Sequence, residues 1–190
     1  QRNKDLTRSV ILSDIADVQG DVDAYIARYS PQQLTFGTIA PQVARRLLDA
    51  GRVEEAMQII RRAMAEGGKA SHGTARHDLE LVFEDGLKQQ GNTAELTDHL
   101  WQRFAQTLDA DSLRRHLKLL PDFDDIAAED AALDLAERFA KLEVAIDFLT
   151  GWPALDRAAR LVLDRAKHLD GDQFEALTPA ADALSEKHPL

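Results

Sequence analysis

The chain has no cysteine in its 190 residues. That absence removes disulfides, thiolate nucleophiles and cysteine-based zinc or iron–sulfur sites together. Aromatic residues make up only 6%, glycine and proline number 10 and 6, and no apolar run approaches the length of about 20 residues that a membrane-spanning helix needs. Valine and isoleucine are scarce as well, at 8 each. What is abundant is alanine, with 29 copies, and leucine, with 26. Both enter a helix at little cost, whereas the β-branched residues that favour sheet are few. A hydrophobic content of 44% excludes disorder. The expectation is an all-α fold with about ten helices and no sheet, forming a single domain over residues 1–190.

Charge is unevenly spread. Residues 1–95 hold 12 basic and 14 acidic side chains, whereas residues 96–190 hold 11 and 19, giving a net charge of −10. A chain of this balance repels phosphate backbones, so neither nucleic acid nor an anionic membrane is expected as a partner. The opening segment Gln1-Arg2-Asn3-Lys4-Asp5 lacks the apolar stretch of a secretory signal. A start on Gln1 and an ending at Lys187-His188-Pro189-Leu190 suggest a cytoplasmic piece of a longer protein.

Apolar residues recur at the three- and four-residue spacing of an α-helix through most of the chain. Leu6, Val10, Ile11 and Ile15 form one stripe; Val43, Leu47 and Leu48 another; Ala56, Ile59, Ile60 and Ala63 a third. Leu79, Val82, Phe83 and Leu87 follow, then Leu96, Leu100, Trp101 and Phe104, and later Leu155, Ala158, Ala159, Val162 and Ala166. Pro31, Pro121, Pro153 and Pro189 separate these stripes, while Pro41 and Pro179 fit a first helical turn, Pro179 behind Thr178 as N-cap. The glycine-rich stretch 66–73 reads as a flexible linker and a sub-boundary.

A recurring phrase, apolar residues leading to a glycine and then to a polar helix start, centres on Gly20, Gly51 and Gly91, with Gly171 as a degenerate fourth. Each glycine suits a left-handed helix C-cap. The steps of 31 and 40 residues match helical-pair repeats of the tetratricopeptide type. Such pairs stack into an α-α superhelix, because one hairpin cannot cover its own apolar face.

Candidate sites are few. His72, His77, Asp78 and Glu80 form the densest group, but the histidines stand five apart with a glycine between, a poor spacing for helical metal ligands. They read better as solvated side chains. The run Asp122, Asp124, Asp125, Glu129, Asp130, Asp134 and Glu137 suits a helix N-terminus capped by Asp122 or Asp124, with a basic-partner surface as the alternative. It lacks the ligand spacing of a calcium loop. Arginine doublets stand at Arg45-Arg46, Arg61-Arg62 and Arg114-Arg115. Arg45 and Arg46 could offer bidentate donors to a partner's carboxylate, or Arg45-Arg46 and Arg61-Arg62 could pair with the nearby Asp49, Glu54, Glu55 and Glu66 on exposed helix faces. The aromatics, including Tyr25, Tyr29, Trp101, Phe104 and Trp152, read as packing. No phosphate loop, nucleophile elbow, cofactor motif or metal motif occurs.

Several longer phrases carry a family resemblance. Gln19–Ile26, Ala44–Arg52, Leu120–Asp125, Trp152–Leu163 and Leu177–Leu184 are similar to a bacterial family catalogued as domain of unknown function 6880. The resemblance covers nearly the whole chain and implies a bacterial helical array that continues beyond Leu190. It brings no reaction, cofactor or catalytic residue. The functional expectation is therefore a protein-interaction or scaffold module binding a protein or peptide, with Arg45, Arg46, Asp122, Asp124 and Asp125 as contact residues. The alternatives are an enzyme or regulatory domain, built on His77, His99 or His116 gathered with acids, and a helix-mediated homodimer.

Overall fold

A computed structural model describes residues 21–67, 74–152 and 154–165, with isolated positions as far as 185. Among the described residues the protein is all-α, with nine α-helices and no strand. The expectations at Leu6–Ile15, Gly20, His72, Pro153, Ala166, Gly171, Pro179 and Pro189 lie outside the described residues. The chain divides into two compact units, Gln1–Thr93 and Ala94–Leu190.

The first unit holds α1 (Val22–Ile26), a 3₁₀ turn (Gln33–Thr35), α2 (Ala40–Asp49), α3 (Val53–Arg62), a π turn (Ala63–Gly67) and α4 (Thr74–Gln89). Helix α2 starts where sequence places it, with Pro41 in its first turn, since a missing N–H costs nothing there. It ends in a Schellman turn. Gly51 N–H donates to Leu48 O at 3.0 Å and Arg52 N–H to Leu47 O at 2.8 Å, with Gly51 at φ +73°. The same device closes α4: Gly91, at φ +67°, donates to Lys88 O, and Asn92 to Leu87 O. Two of the expected glycine turns are thus built with the conformation their glycines permit. Val43, Leu47 and Leu48 of α2, Ala56 and Ile60 of α3, and Leu79, Val82 and Leu87 of α4 are buried, the stripes that helical spacing marks.

The second unit holds α5 (Thr93–Thr107), α6 (Ala110–Leu117), α7 (Asp124–Glu137), α8 (Leu142–Gly151) and α9 (Leu155–Arg165). Its core joins Phe104, Leu113, Ala132, Ala136, Ile146, Leu149, Ala158 and Leu161. Rings run through this core in sequence of contact: His116 to Trp101 at 5.3 Å, Trp101 to Phe104 at 5.7 Å, Phe104 to Phe148 at 5.2 Å and Phe148 to Trp152 at 5.6 Å between centroids. These separations suit offset aromatic packing.

Turns here use other residues. Leu108 follows α5 at φ +54°, and Phe123 precedes α7 at φ +76°. Asp109 caps α6: its carboxylate accepts from Asp111 N–H at 3.4 Å, Ser112 N–H at 3.2 Å and the Ser112 hydroxyl at 2.6 Å. The N-cap of α7 corrects the sequence expectation. It is Phe123, with no side-chain cap, and neither Asp122 nor Asp124 fills that role. A left-handed residue turns the chain into the helix, so Asp124 and Asp125 fall inside the first turn, where they still complement the helix dipole.

Candidate functional site: a groove lined by charges of both signs

Helix α2 has two faces. Ala40, Val43, Ala44, Leu47 and Leu48 recur at three- and four-residue steps and are buried. Pro41, Gln42, Arg45, Arg46 and Asp49 follow the neighbouring stripe, and with Asp78 of α4 they line a groove of about 590 Å³. That volume falls within the range of about 300–1,000 Å³ usual for ligand clefts. Arg45 and Arg46 therefore come together in one concave site. Sequence spacing put them on one helix, but the arrival of Asp78 from α4 depends on how the helices pack.

The two arginines are held differently. The guanidinium of Arg46 lies over the ring of buried Tyr25, 3.8 Å from its centroid, and Arg28 lies over the same ring at 4.9 Å. Cation–π contact and stacking restrict Arg46 to a narrow range of orientations. Tyr25 is itself fixed from several directions: its hydroxyl donates to Gln42 Oε1 at 3.4 Å, and the Tyr29 hydroxyl donates to it at 3.3 Å. Gln42 in turn donates to Thr38 O at 3.0 Å. Arg45, by contrast, is exposed, and among the described residues its side chain makes no hydrogen bond or ion pair. The expected pairing of the doublet with Asp49 does not form for Arg45, although the residues stand one helical turn apart.

Pairing does occur elsewhere. Arg52 donates to Asp23 at 2.6 Å and to both oxygens of Glu55 at 2.7 Å. Hydrogen bonding from Arg52 holds the Glu55 carboxyl below its ordinary value, and Glu55 and Asp23 raise the arginine in return. Arg62 pairs with Glu66 at 3.7 Å, while Arg61 lies over Phe83 at 5.6 Å. Arg114 lies over Trp152 at 5.2 Å, and Arg115 pairs with Asp111 at 3.7 Å. Every arginine doublet thus has one member over an aromatic ring, a pattern that no local spacing announces.

The acidic run divides in two. Its later part is neutralised: Arg157 donates to Asp134 at 2.6 Å, Asp130 at 3.1 Å and Glu137 at 3.3 Å. Hydrogen bonding from Arg157 lowers the Asp134 pKa. Glu129 accepts from the Trp152 indole N–H at 2.6 Å. The earlier part, Asp122, Asp124 and Asp125, is exposed, and Asp125 accepts from the N–H of Ile126 at 3.0 Å. Phe123 and Ile126 stand among these acids, 82% and 63% exposed.

His77 is exposed and none of His77, His99 and His116 lines the groove. His116 is buried against Trp101 with Nδ1 2.9 Å from Thr97 O, and a carbonyl can only accept, so this nitrogen carries the proton. Glu80 turns inward and pairs with Arg76 at 3.0 Å. Among the described residues no group of three His, Cys, Asp or Glu side chains could hold a metal ion, and no helix is long and apolar enough to cross a membrane.

The family of unknown function DUF6880 matches residues 1–190, the full length of the sequence. The chain belongs to the DUF6880 family. Among curated proteins and solved structures nothing matches it. For this DUF6880 chain the groove on α2 therefore stands on its own geometry: two arginines, one held by an aromatic ring, lining it together with two aspartates.

Proposed function

We propose that the chain is a protein-interaction module, and that the groove on the first unit receives a carboxylate-bearing protein or peptide at Arg45 and Arg46. The observation that carries this reading is the contrast within the doublet. Arg46 is oriented in advance by Tyr25, which lowers the entropic cost of binding, and Arg45 is exposed beside it without an ionic partner among the described residues. Arginine forks match carboxylates in a bidentate geometry. The net charge of −10 argues for protein over nucleic acid or anionic membrane. A bacterial, cytoplasmic, tetratricopeptide-like array of stacked pairs is part of the same proposal; its array character rests on the glycine-turn spacing and on the general habit of helical arrays to bind through extended surfaces.

The test is affinity capture from native cells with the parent chain and with the double variant Arg45→Glu, Arg46→Glu, matched for thermal stability. Loss of the captured partner supports the groove. Undiminished capture removes it. A second reading is favoured by Phe123 and Ile126, which put exposed apolar surface among Asp122, Asp124 and Asp125 on the second unit. Those residues would then face a basic partner surface.

A further inference from the structure

Charges of both signs line the groove. Asp49 and Asp78 line it with Arg45 and Arg46, and both aspartates are exposed. Among the described residues neither aspartate makes an ion pair or a side-chain hydrogen bond. Nearby arginines behave otherwise: Arg52, Arg62 and Arg76 each meet an acid. Arg45 and Asp49 stand four residues apart, a spacing at which opposite charges on a helix can meet, yet they do not. A purely acidic ligand that reached Arg45 and Arg46 would bring its charge against Asp49 and Asp78. A purely basic ligand would meet the reverse conflict.

We infer that the groove takes a mixed-charge peptide segment, a carboxylate against Arg45 and Arg46 and an ammonium or guanidinium against Asp49 and Asp78. The inference rests on the groove being the binding face and adds the sign pattern of what binds there. Like-charge contacts weaken the binding of single-sign ligands, so the aspartates act as the selective element and the arginines as the anchor. The groove volume of about 590 Å³ suits a short segment better than an extended protein face.

The test is a nitrogen-15 NMR titration of the full chain with three synthetic peptides of equal length: glycine with glutamate, glycine with lysine, and glycine with both. The expected result is that amides of α2 and the start of α4 shift most with the mixed peptide. Each exposed charge pair is expected to change affinity by roughly two- to fivefold, so the mixed peptide should bind several-fold tighter than either other one. Asp49→Asn with Asp78→Asn should bring the mixed peptide down to the level of the glutamate peptide. Both positions are exposed, so the fold should be retained, and unchanged amide spectra away from the groove would show it. Equal binding of the glutamate and mixed peptides, unaffected by the asparagine variants, overturns the sign pattern and leaves the groove standing. Tightest binding of the lysine peptide, or no shift in α2 with any peptide, also overturns it. Retained shifts in the Arg45→Glu, Arg46→Glu variant would remove the groove itself.

Discussion

The two units solve the same backbone problem with different residues. Among the described residues of the first, the left-handed positions are Gly51 and Gly91, with no atom near enough to crowd an added Cβ and no side chain to strain. In the second they are Leu108 and Phe123. A left-handed conformation costs a non-glycine residue roughly 1–2 kcal/mol. Leu108 offsets that cost by burial, being only 4% exposed in the core with Phe104 and Leu113. Phe123 offsets nothing within the described residues, since it is 82% exposed. The difference teaches that a left-handed turn can be set by the residue itself or by the core that receives its side chain, and that only the first kind shows in a sequence.

The comparison breaks most visibly in the core of the second unit. Phe104 is fully buried and touches both Trp101 and Phe148, so Phe104→Ala should cost about 3–5 kcal/mol in chemical denaturation. A loss below about 1 kcal/mol would mean the ring series does not hold that unit together. At the cap of α6 the expected effect is smaller. Asp109→Ala should cost about 1 kcal/mol.

Acid should erase that Asp109 contribution. Burial acts to raise the Asp109 pKa, but the Ser112 hydroxyl, Arg103 and the N–H groups of Ser112 and Asp111 outweigh it, and the net shift is downward. A depressed folded-state pKa gives stability that is present above the unfolded carboxylate value, about 3.9, and lost as pH falls through the lower folded value. The stability gap between parent and Asp109→Ala should therefore be constant near neutrality and close below about pH 4. A gap that persists at lower pH would assign the effect to packing.

The turns themselves give the sharpest pair. Gly51→Ala should cost about 1 kcal/mol, because alanine must adopt φ +73° although space for its Cβ is open. Phe123→Gly should do the opposite and raise the melting temperature slightly, by relieving strain without removing buried surface. If Phe123→Gly lowers stability by as much as Gly51→Ala does, the two turns are not built on different principles.

Most of the helical layout is legible in sequence, because it follows from spacing that any helix must obey. The stripes at Val43–Leu48, Leu79–Leu87 and Leu96–Phe104 are buried as read, except that Trp101 is half-buried, and Gly51 and Gly91 take the left-handed conformation. The turns at Leu108 and Phe123 are not legible, because nothing local distinguishes a leucine or phenylalanine that will turn left-handed. Nor is the cap of α7, where three aspartates beside Phe123 invite the wrong assignment. Arg45 and Arg46 are visible as a doublet. What makes them a site is not: Tyr25 lies about 20 residues upstream and Asp78 about 30 downstream, and only packing brings them to α2.

The two proposed partner surfaces fall one on each unit, the arginine groove on the first and the exposed acids around Phe123 on the second. Affinity capture of partners with charge reversed in one unit at a time tests the choice most directly, using Arg45→Glu with Arg46→Glu against Asp122→Lys with Asp124→Lys and Asp125→Lys. The groove account predicts that the arginine variant loses the partner while the aspartate variant keeps it. Retention by the arginine variant together with loss by the aspartate variant would contradict it.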